Sequence, residues 1–238
     1  MNQYYSKLDS ERFGYKVFKI NSFPTGNLQE FIQGLKNEGV KLVISRLNIN
    51  ELKLINELER EGFELKDVQL TQGFQLENYE PIAIKNQFAE IRDFQASDLP
   101  EIEKIAATAF ATYGHYFADE KLKQHTPEIY KDWARNSCLN KQLVDIIIVA
   151  TIGEQPVGFL SLKINDNVAI GGMGAVAIKH QNKGLFKSIN LKAMNWAKEM
   201  ACKSIEHNVL ANNLPVNAAY SKLGFQIQKS EVTLHGWI

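Results

Sequence analysis

The run AVAIKHQNKGLFKSI, residues 175–189, concentrates more chemistry than any stretch of similar length in the chain. An apolar strand is expected to end at Ile178, and a polar loop follows it. Gly184 then opens a helix whose apolar positions are Leu185, Ile189 and Met194. A loop of this kind aims unpaired backbone N–H groups and the positive end of the helix dipole at whatever lies in front of it. A pyrophosphate is the natural guest. Gly184 lets the backbone approach such a ligand with no Cβ in between. A lone glycine before a helix is also the ordinary form of a strand-to-helix turn, so composition alone does not decide. The spacing adds to it: Val176 lies five residues before Gln181, and Gly184 lies three after it.

The surrounding pattern supplies elements able to hold such a loop. VDIIIVATI, PVGFLSLKI and NVAIGGMGAVAI read as three successive strands, and the glycines at 171, 172 and 174 suit a kink or bulge in the third. A long helix (about 185–201), the strand SIEHNVLA, a short helix (about 215–223) and a last strand, QIQKSEVTLHGW, complete the chain. Upstream, AEIRDFQASDLPEIEKIAATAF reads as a short strand and a helix. Ser97 is its expected N-cap, Asp98 sits in its first turn, and Ile102, Ile105 and Ala106 face inward. A polar, aromatic-rich stretch over 112–140 includes a second helix around EIYKDWARNSC. Strands alternating with helices only after a meander predict a mixed sheet of the α/β or α+β kind.

The first 78 residues form a smaller α/β pattern: strand 15–20, helix 27–38, strand 40–46, helix 50–62 and strand 63–76. The proline-containing stretch 79–87 is expected to be a linker, and 88–238 the main domain. The order strand, Asn-bearing turn, helix, Gly-Phe, strand occurs twice, at 40–71 and at 204–234. Either two common βαβ units coincide, or the first domain is a truncated relative of the second.

Bulk properties exclude several function classes. The chain has 238 residues, 45% of them apolar, with 27 basic and 27 acidic side chains. Zero net charge speaks against a dedicated nucleic-acid binder. The longest apolar run is strand-sized, so no membrane partner is expected, and no secretory signal is visible. Cys138 and Cys202 lack metal-type spacing, which predicts structural thiols in a reducing, cytoplasmic setting and no metal.

The spacing V-x-x-x-x-Q-x-x-G from Val176 through Gln181 to Gly184 resembles the coenzyme A loop of the GNAT N-acetyltransferase superfamily. EIRDFQASDLPEI resembles that superfamily's opening strand and helix, and NLPVNAAYSKLGF (213–225) its late Asn…Tyr…Gly-Phe element. The three occur in the family's order over about 150 residues of the chain. One position departs: Phe186 stands where the family has a small residue, which brings tight coenzyme binding into question.

The resemblance implies a GNAT fold, a mixed and mostly antiparallel twisted sheet flanked by helices, with acetyl-CoA as co-substrate. It implies that Val176, Ala177 and Ile178 lie on a splayed strand whose freed main-chain groups pair with pantetheine. One N–H, at Val176 or Ala177, would polarise the thioester carbonyl. Gln181, Asn182, Lys183, Gly184, Leu185, Phe186 and Lys187 would form the pyrophosphate loop, and Asn213 would hold the pantetheine arm. Tyr220 would protonate the leaving thiolate, since a phenol with a pKa of about 10 is protonated at neutral pH. A homodimer is expected from the resemblance alone.

The acceptor side is less defined. AFATYGHYFADEKLKQHTPEIYKDWARNSC and SERFGYKVFKI resemble the dTDP-fucosamine acetyltransferase family, which implies a nucleotide-linked amino sugar as the small-molecule amine. Tyr113, His115, Tyr116 and Phe117 are then the substrate-binding candidates, through stacking and, for His115, as general base. Arg92 or Lys121 would meet phosphates, and His180 would face solvent or phosphate. His125, His207 and His235 have no special context. The alternatives are a GNAT enzyme for another small amine or a protein N-terminus, with only Asp119 and Glu120 as an acidic pair for a polyamine, or a non-catalytic acyl-CoA-binding module.

Overall fold

The uninterrupted apolar runs of the sequence become strands covered on both faces, as the computed structural model of residues 2–238 shows. In chain order the first elements are α1 (Lys7–Phe13), β1 (Lys16–Lys19), α2 (Leu28–Asn37), β2 (Val40–Asn48), α3 (Leu52–Arg60) and β3 (Phe63–Gln75). Then come β4 (Glu90–Asp93), α4 (Leu99–Ala109), α5 (Gly114–Ala118), α6 (Thr126–Leu139), β5 (Ile146–Ile152), β6 (Gln155–Asn165) and β7 (Val168–Val176). The last four are α7 (Leu185–Glu199), β8 (Ser204–Leu210), α8 (Leu214–Lys222) and β9 (Gln226–Trp237).

Two compact units emerge, one holding the residues through Leu70 together with Lys229–Ile238, the other Thr71–Gln228. The boundaries expected at 78 and 88 are therefore displaced, and the C-terminal strand is counted with the opposite domain. Pairing is the cause: β9 runs antiparallel to β2, from Leu42↔Trp237 to Asn48↔Glu231, and Val232 and Leu234 are buried with Phe18, Val43 and Leu58. In this first unit β1 also pairs parallel with β2.

The second unit carries strands in the order β8-β7-β6-β5-β4, with β7·β8 parallel and the others antiparallel. Successive residues of β5 face different cores. Ile148 and Ala150 pack with Leu185, Ile189 and Met194 of α7, whereas Ile147 and Val149 pack with Ile102, Ile105 and Tyr130 of α4 and α6. Helices on both sides are why IIIVA carries no polar alternation. Each such buried Leu, Ile or Met contributes roughly 1.5–3 kcal/mol. Among the described residues no helix is long and apolar enough to cross a membrane.

Three further expectations are corrected. The cap of α4 is not Ser97. A 3-10 turn over Ala96–Asp98 precedes the helix, Asp98 is the N-cap, and its carboxylate accepts the Gln95 N–H at 2.8 Å. Arg92 is not available to a phosphate, because its guanidinium grips Asp98 with two bonds of 2.7 and 2.8 Å. Burial alone would raise the Asp98 carboxyl, but Arg92 and the Gln95 N–H outweigh it and hold it below its ordinary value. The stretch 79–87 is not a free linker. The Tyr79 hydroxyl donates to Asn195 at 2.7 Å, and the Asn195 amide bonds both backbone groups of Ile82 at 3.1 and 2.8 Å, so the segment straps along α7.

Candidate active site

The site begins where β7 parts from β8. Their parallel pairing runs from Val168↔Ser204 to Gly171↔His207 and stops, while β7 continues beside β6 to Val176. The β6–β7 register shows why. Leu162 faces Gly171 and Leu160 faces Gly174, so Gly172 and Met173 both stand opposite Ser161. That is a β-bulge, which bends its strand and ends regular pairing. The Ser161 hydroxyl fills it, accepting the Met173 N–H at 2.9 Å and donating to the Met173 carbonyl at 3.3 Å. Residues 172–176 thus overhang on the β8 side, as the glycine-rich sequence predicts.

The end of β7 distinguishes the two N–H groups named for the thioester carbonyl. Ala177 N–H donates to Val157 O at 2.8 Å and is already used. Val176 is paired with Gly158 one position away, so antiparallel alternation turns its N–H from β6 toward the opened side. The strand also ends earlier than expected. Ile178 belongs to a 3-10 turn, Ile178–His180, and is 66% exposed, so it offers no strand edge.

The following loop is braced from within. The Gln181 amide donates to Val176 O at 3.3 Å, and Asn182 and Gly184 take positive φ values of 62° and 69°. Asn tolerates that region and glycine occupies it freely. Among the described residues no side chain caps the start of α7, which leaves its first N–H groups open to an anion. Gln181, Asn182, Gly184 and Lys187 are exposed, whereas Leu185 is core. Burial, and then the neighbouring Lys183 and Lys179, lower the His180 pKa and so favour its neutral form. Asn86, which no local pattern singles out, donates to Lys183 O at 3.2 Å and to the Ser188 hydroxyl at 3.1 Å.

Phe186 does not point at the pyrophosphate loop. It packs edge-on against Tyr220, centroids 5.0 Å apart at 77°, and joins the core under α7. Tyr220 is 4% exposed and lies on α8, whose N-cap is Asn213. Burial raises its pKa well above the usual phenol value, so it is a proton donor throughout the working range. His207 stacks on it at 4.8 Å and 24°, and Phe225 closes the third side at 5.0 Å.

The acceptor-side candidates divide. Tyr113 and Phe117 are each 38% exposed, whereas Tyr116 is buried and His115 leans on it at 4.0 Å. Tyr116 is therefore packing, not a ligand surface. Asp119 is buried as well, its carboxylate accepting the Lys121 N–H at 3.0 Å, so the acidic pair considered for a polyamine does not exist as a surface feature. Trp133, not selected from the sequence, is 46% exposed and ends a ring stack Phe110–Tyr130–Trp133 with spacings of 4.9 and 6.1 Å. Phe110 and Tyr130 share a core with Ala175 and Ala177, at the end of β7.

The model of the acetyltransferase (GNAT) family matches residues 100–225, more than half of the chain. No curated protein is similar to the sequence. Among solved structures, a GCN5-related N-acetyltransferase from Sphaerobacter thermophilus is similar at 12% identity and a TM-score of 0.61, covering 87% of this chain and 64% of that one. This chain therefore spans less than two thirds of that protein. A tandem GNAT protein from the clavulanic acid biosynthesis pathway is 11% identical with a TM-score of 0.63, covering 92% and 74%. The PaiA N-acetyltransferase from Thermoplasma acidophilum, solved in complex with coenzyme A, is 22% identical with a TM-score of 0.50, covering 63% and 99%. Identities this low speak to the fold.

Proposed function

The chain belongs to the acetyltransferase (GNAT) family of acetyl-CoA-dependent N-acetyltransferases, and on that premise we propose that it acetylates the amino group of a nucleotide-linked amino sugar, the 4-amino group of a dTDP-4-amino-4,6-dideoxyhexose. The observation that carries the acetyl-transfer reading is the fork at Gly171, followed after one loop by a helix start that no side chain caps among the described residues. The N–H groups from Asn182 to Lys187 receive the pyrophosphate, and the overhanging edge of β7 receives the pantetheine amides as an added strand would. Asn213, at the start of α8, steadies the arm. Phe186 leaves this loop open because its ring is turned to Tyr220.

The chemistry is a direct displacement. The acceptor nitrogen forms a bond to the acetyl carbon, the carbon–sulfur bond breaks, and Tyr220 delivers its proton to the departing sulfur. Val176 N–H steadies the negative charge that grows on the carbonyl oxygen. His115 takes the proton that the amine must lose, an assignment resting on residue type and on its place in the acceptor segment. Tyr113, Phe117 and Trp133 offer exposed ring faces for a planar base or the apolar face of a deoxysugar. These exposed rings, with the resemblance of 109–138, favour the sugar nucleotide over a polyamine, which would need the carboxylate that Asp119 has buried.

A thiol-release assay with acetyl-CoA against dTDP-amino sugars, polyamines and amino acids tests the proposal. Turnover with the sugar nucleotides alone is expected. Turnover with other amines only would discard the acceptor and keep the reaction. Coenzyme A binding without turnover on any of them would favour a non-catalytic acyl-CoA-binding module.

A further inference from the structure

Tyr220 is held by ring faces on several sides, and one of them is an imidazole with an unusual seat. His207 is the last β8 residue to pair with β7, so it stands at the apex of the fork. It is 3% exposed, and its Nε2 is buried with no hydrogen-bond partner among the described residues. A buried polar nitrogen left unpaired normally costs stability. The partner strand makes space for it: a Cβ on Gly171 would collide with the His207 ring. Phe225 packs on the same imidazole at 5.5 Å.

Phe186 faces Tyr220 from the first turn of α7. Its centroid lies 5.0 Å away at 77°, the edge-to-face geometry that aromatic quadrupoles favour. The His207 plate lies nearly flat against Tyr220, at 24°. One wall thus comes from the fork and the other from the helix behind the pyrophosphate loop. The large residue at 186 has found a use in the wall.

We propose that His207 and Phe186 are positioning residues, the two walls of an aromatic slot that fixes the Tyr220 phenol for proton delivery, and that Gly171 lacks a side chain so that His207 can form its wall. This rests on Tyr220 being the general acid. Neither wall touches the reacting atoms. Both act by limiting where the phenol oxygen can be, and small displacements of a catalytic group have large effects on rate.

The test is a double-mutant cycle, read as kcat and as KM for acetyl-CoA with whichever amine the panel identifies. His207→Leu is expected to lower kcat by about tenfold or more while KM stays within about twofold, and His207→Phe, which restores a flat ring, to recover most of the loss. In a Tyr220→Phe background His207→Leu should have no further effect on kcat. An equal loss in that background, or a loss confined to KM, overturns the proposal. Full activity in Tyr220→Phe alone removes the general-acid reading itself, a result distinct from either.

Where His207→Leu does not fold, Gly171→Ala supplies the same displacement from the opposite strand. It should lower kcat in the parent chain and not in His207→Phe/Tyr220→Phe. A readout that needs no acceptor comes from fluorine NMR of chain labelled with 3-fluorotyrosine, the Tyr220 signal being assigned by its loss in Tyr220→Phe. One sharp line is expected in the parent and a broadened or split line in Phe186→Ala. A Tyr220 line unchanged by Phe186→Ala would show that the walls do not position the ring.

Discussion

Two regions of this molecule share one plan and differ at the points where chemistry would occur. β1-α2-β2-α3-β3 and β7-α7-β8-α8-β9 have the same order, and each opens with a parallel pair, β1·β2 and β7·β8. Backbone bonds at both ends of the second helix are repeated at a spacing of 162 residues. Glu51, Ile55 and Gly62 N–H donate to Asn48, Glu51 and Glu59, as Asn213, Asn217 and Gly224 donate to Leu210, Asn213 and Ser221. The loops into α2 and α7 both hold eight residues, 20–27 and 177–184. The contrast lies in what ends them. Asn27 folds its side chain back onto Gln29 and Glu30 N–H at 3.0 and 3.3 Å, closing the start of α2. Gly184 has no side chain to fold back, and α7 starts open.

The other differences agree. β1 has four residues and no overhang, whereas β7 has nine and projects past its partner. At the same spacing, Leu58 stands where the second region has Tyr220, Ser45 where it has His207, and Glu51 where it has Asn213. Ser45 is satisfied by Ile20 O, while the His207 Nε2 has no hydrogen-bond partner among the described residues. The first region closes its helix start with its own side chain, and the second leaves its helix start open to a ligand. The largest effect follows from reversing this. Gly184→Asp puts a carboxylate in front of the open N–H groups and strains a φ of 69°. Affinity for coenzyme A, by titration calorimetry, should fall about 100-fold or more. Unchanged affinity would place the pyrophosphate elsewhere.

How much of this was legible in the sequence depended on range. The loop from Val176 to Gly184 was legible because its parts are within nine residues and its spacing is dictated locally. Leu185, Ile189 and Met194 were legible as a helix face for the same reason. His207 was not, since its meaning comes from Gly171 across the strand pair and from Tyr220 one element later. Asn86 acts on Lys183, 97 residues on, through a strap that composition presents as a linker. Tyr113 and Tyr116 look alike in sequence, and only the five-residue α5 puts one outside and the other inside. The home of β9 was set by register with β2, which no local pattern contains.

The unequal histidine and serine also predict unequal responses to acid. Burial depresses the His207 pKa to about 3, against an ordinary value of about 6.5. Between those values the unfolded chain binds a proton that the folded chain refuses, so stability rises with pH across this window. The contribution is fully present above about pH 6.5 and lost as the pH falls, at about 1.4 kcal/mol per unit. Urea unfolding at several pH values from about 4.5 to 6.5 should show this slope in the parent and a shallower one in His207→Phe. Equal slopes would mean that His207 already reaches water in the folded state.

The smallest expected effect belongs to the closed helix. Asn27→Ala removes the side chain that satisfies two N–H groups at the start of α2 and should lower stability by about 1 kcal/mol. It should not alter kcat or KM for acetyl-CoA, because that helix start serves only its own fold. Asn27→Gly separates the two sides of the comparison further. It reproduces the open start of α7 at a cost of only a few tenths of a kcal/mol. Yet β1 has no overhang to receive a pantetheine arm, so the variant should bind no second equivalent of coenzyme A in calorimetry. A second equivalent would mean that an uncapped helix start is enough by itself, and that the fork contributes less to binding than its position implies.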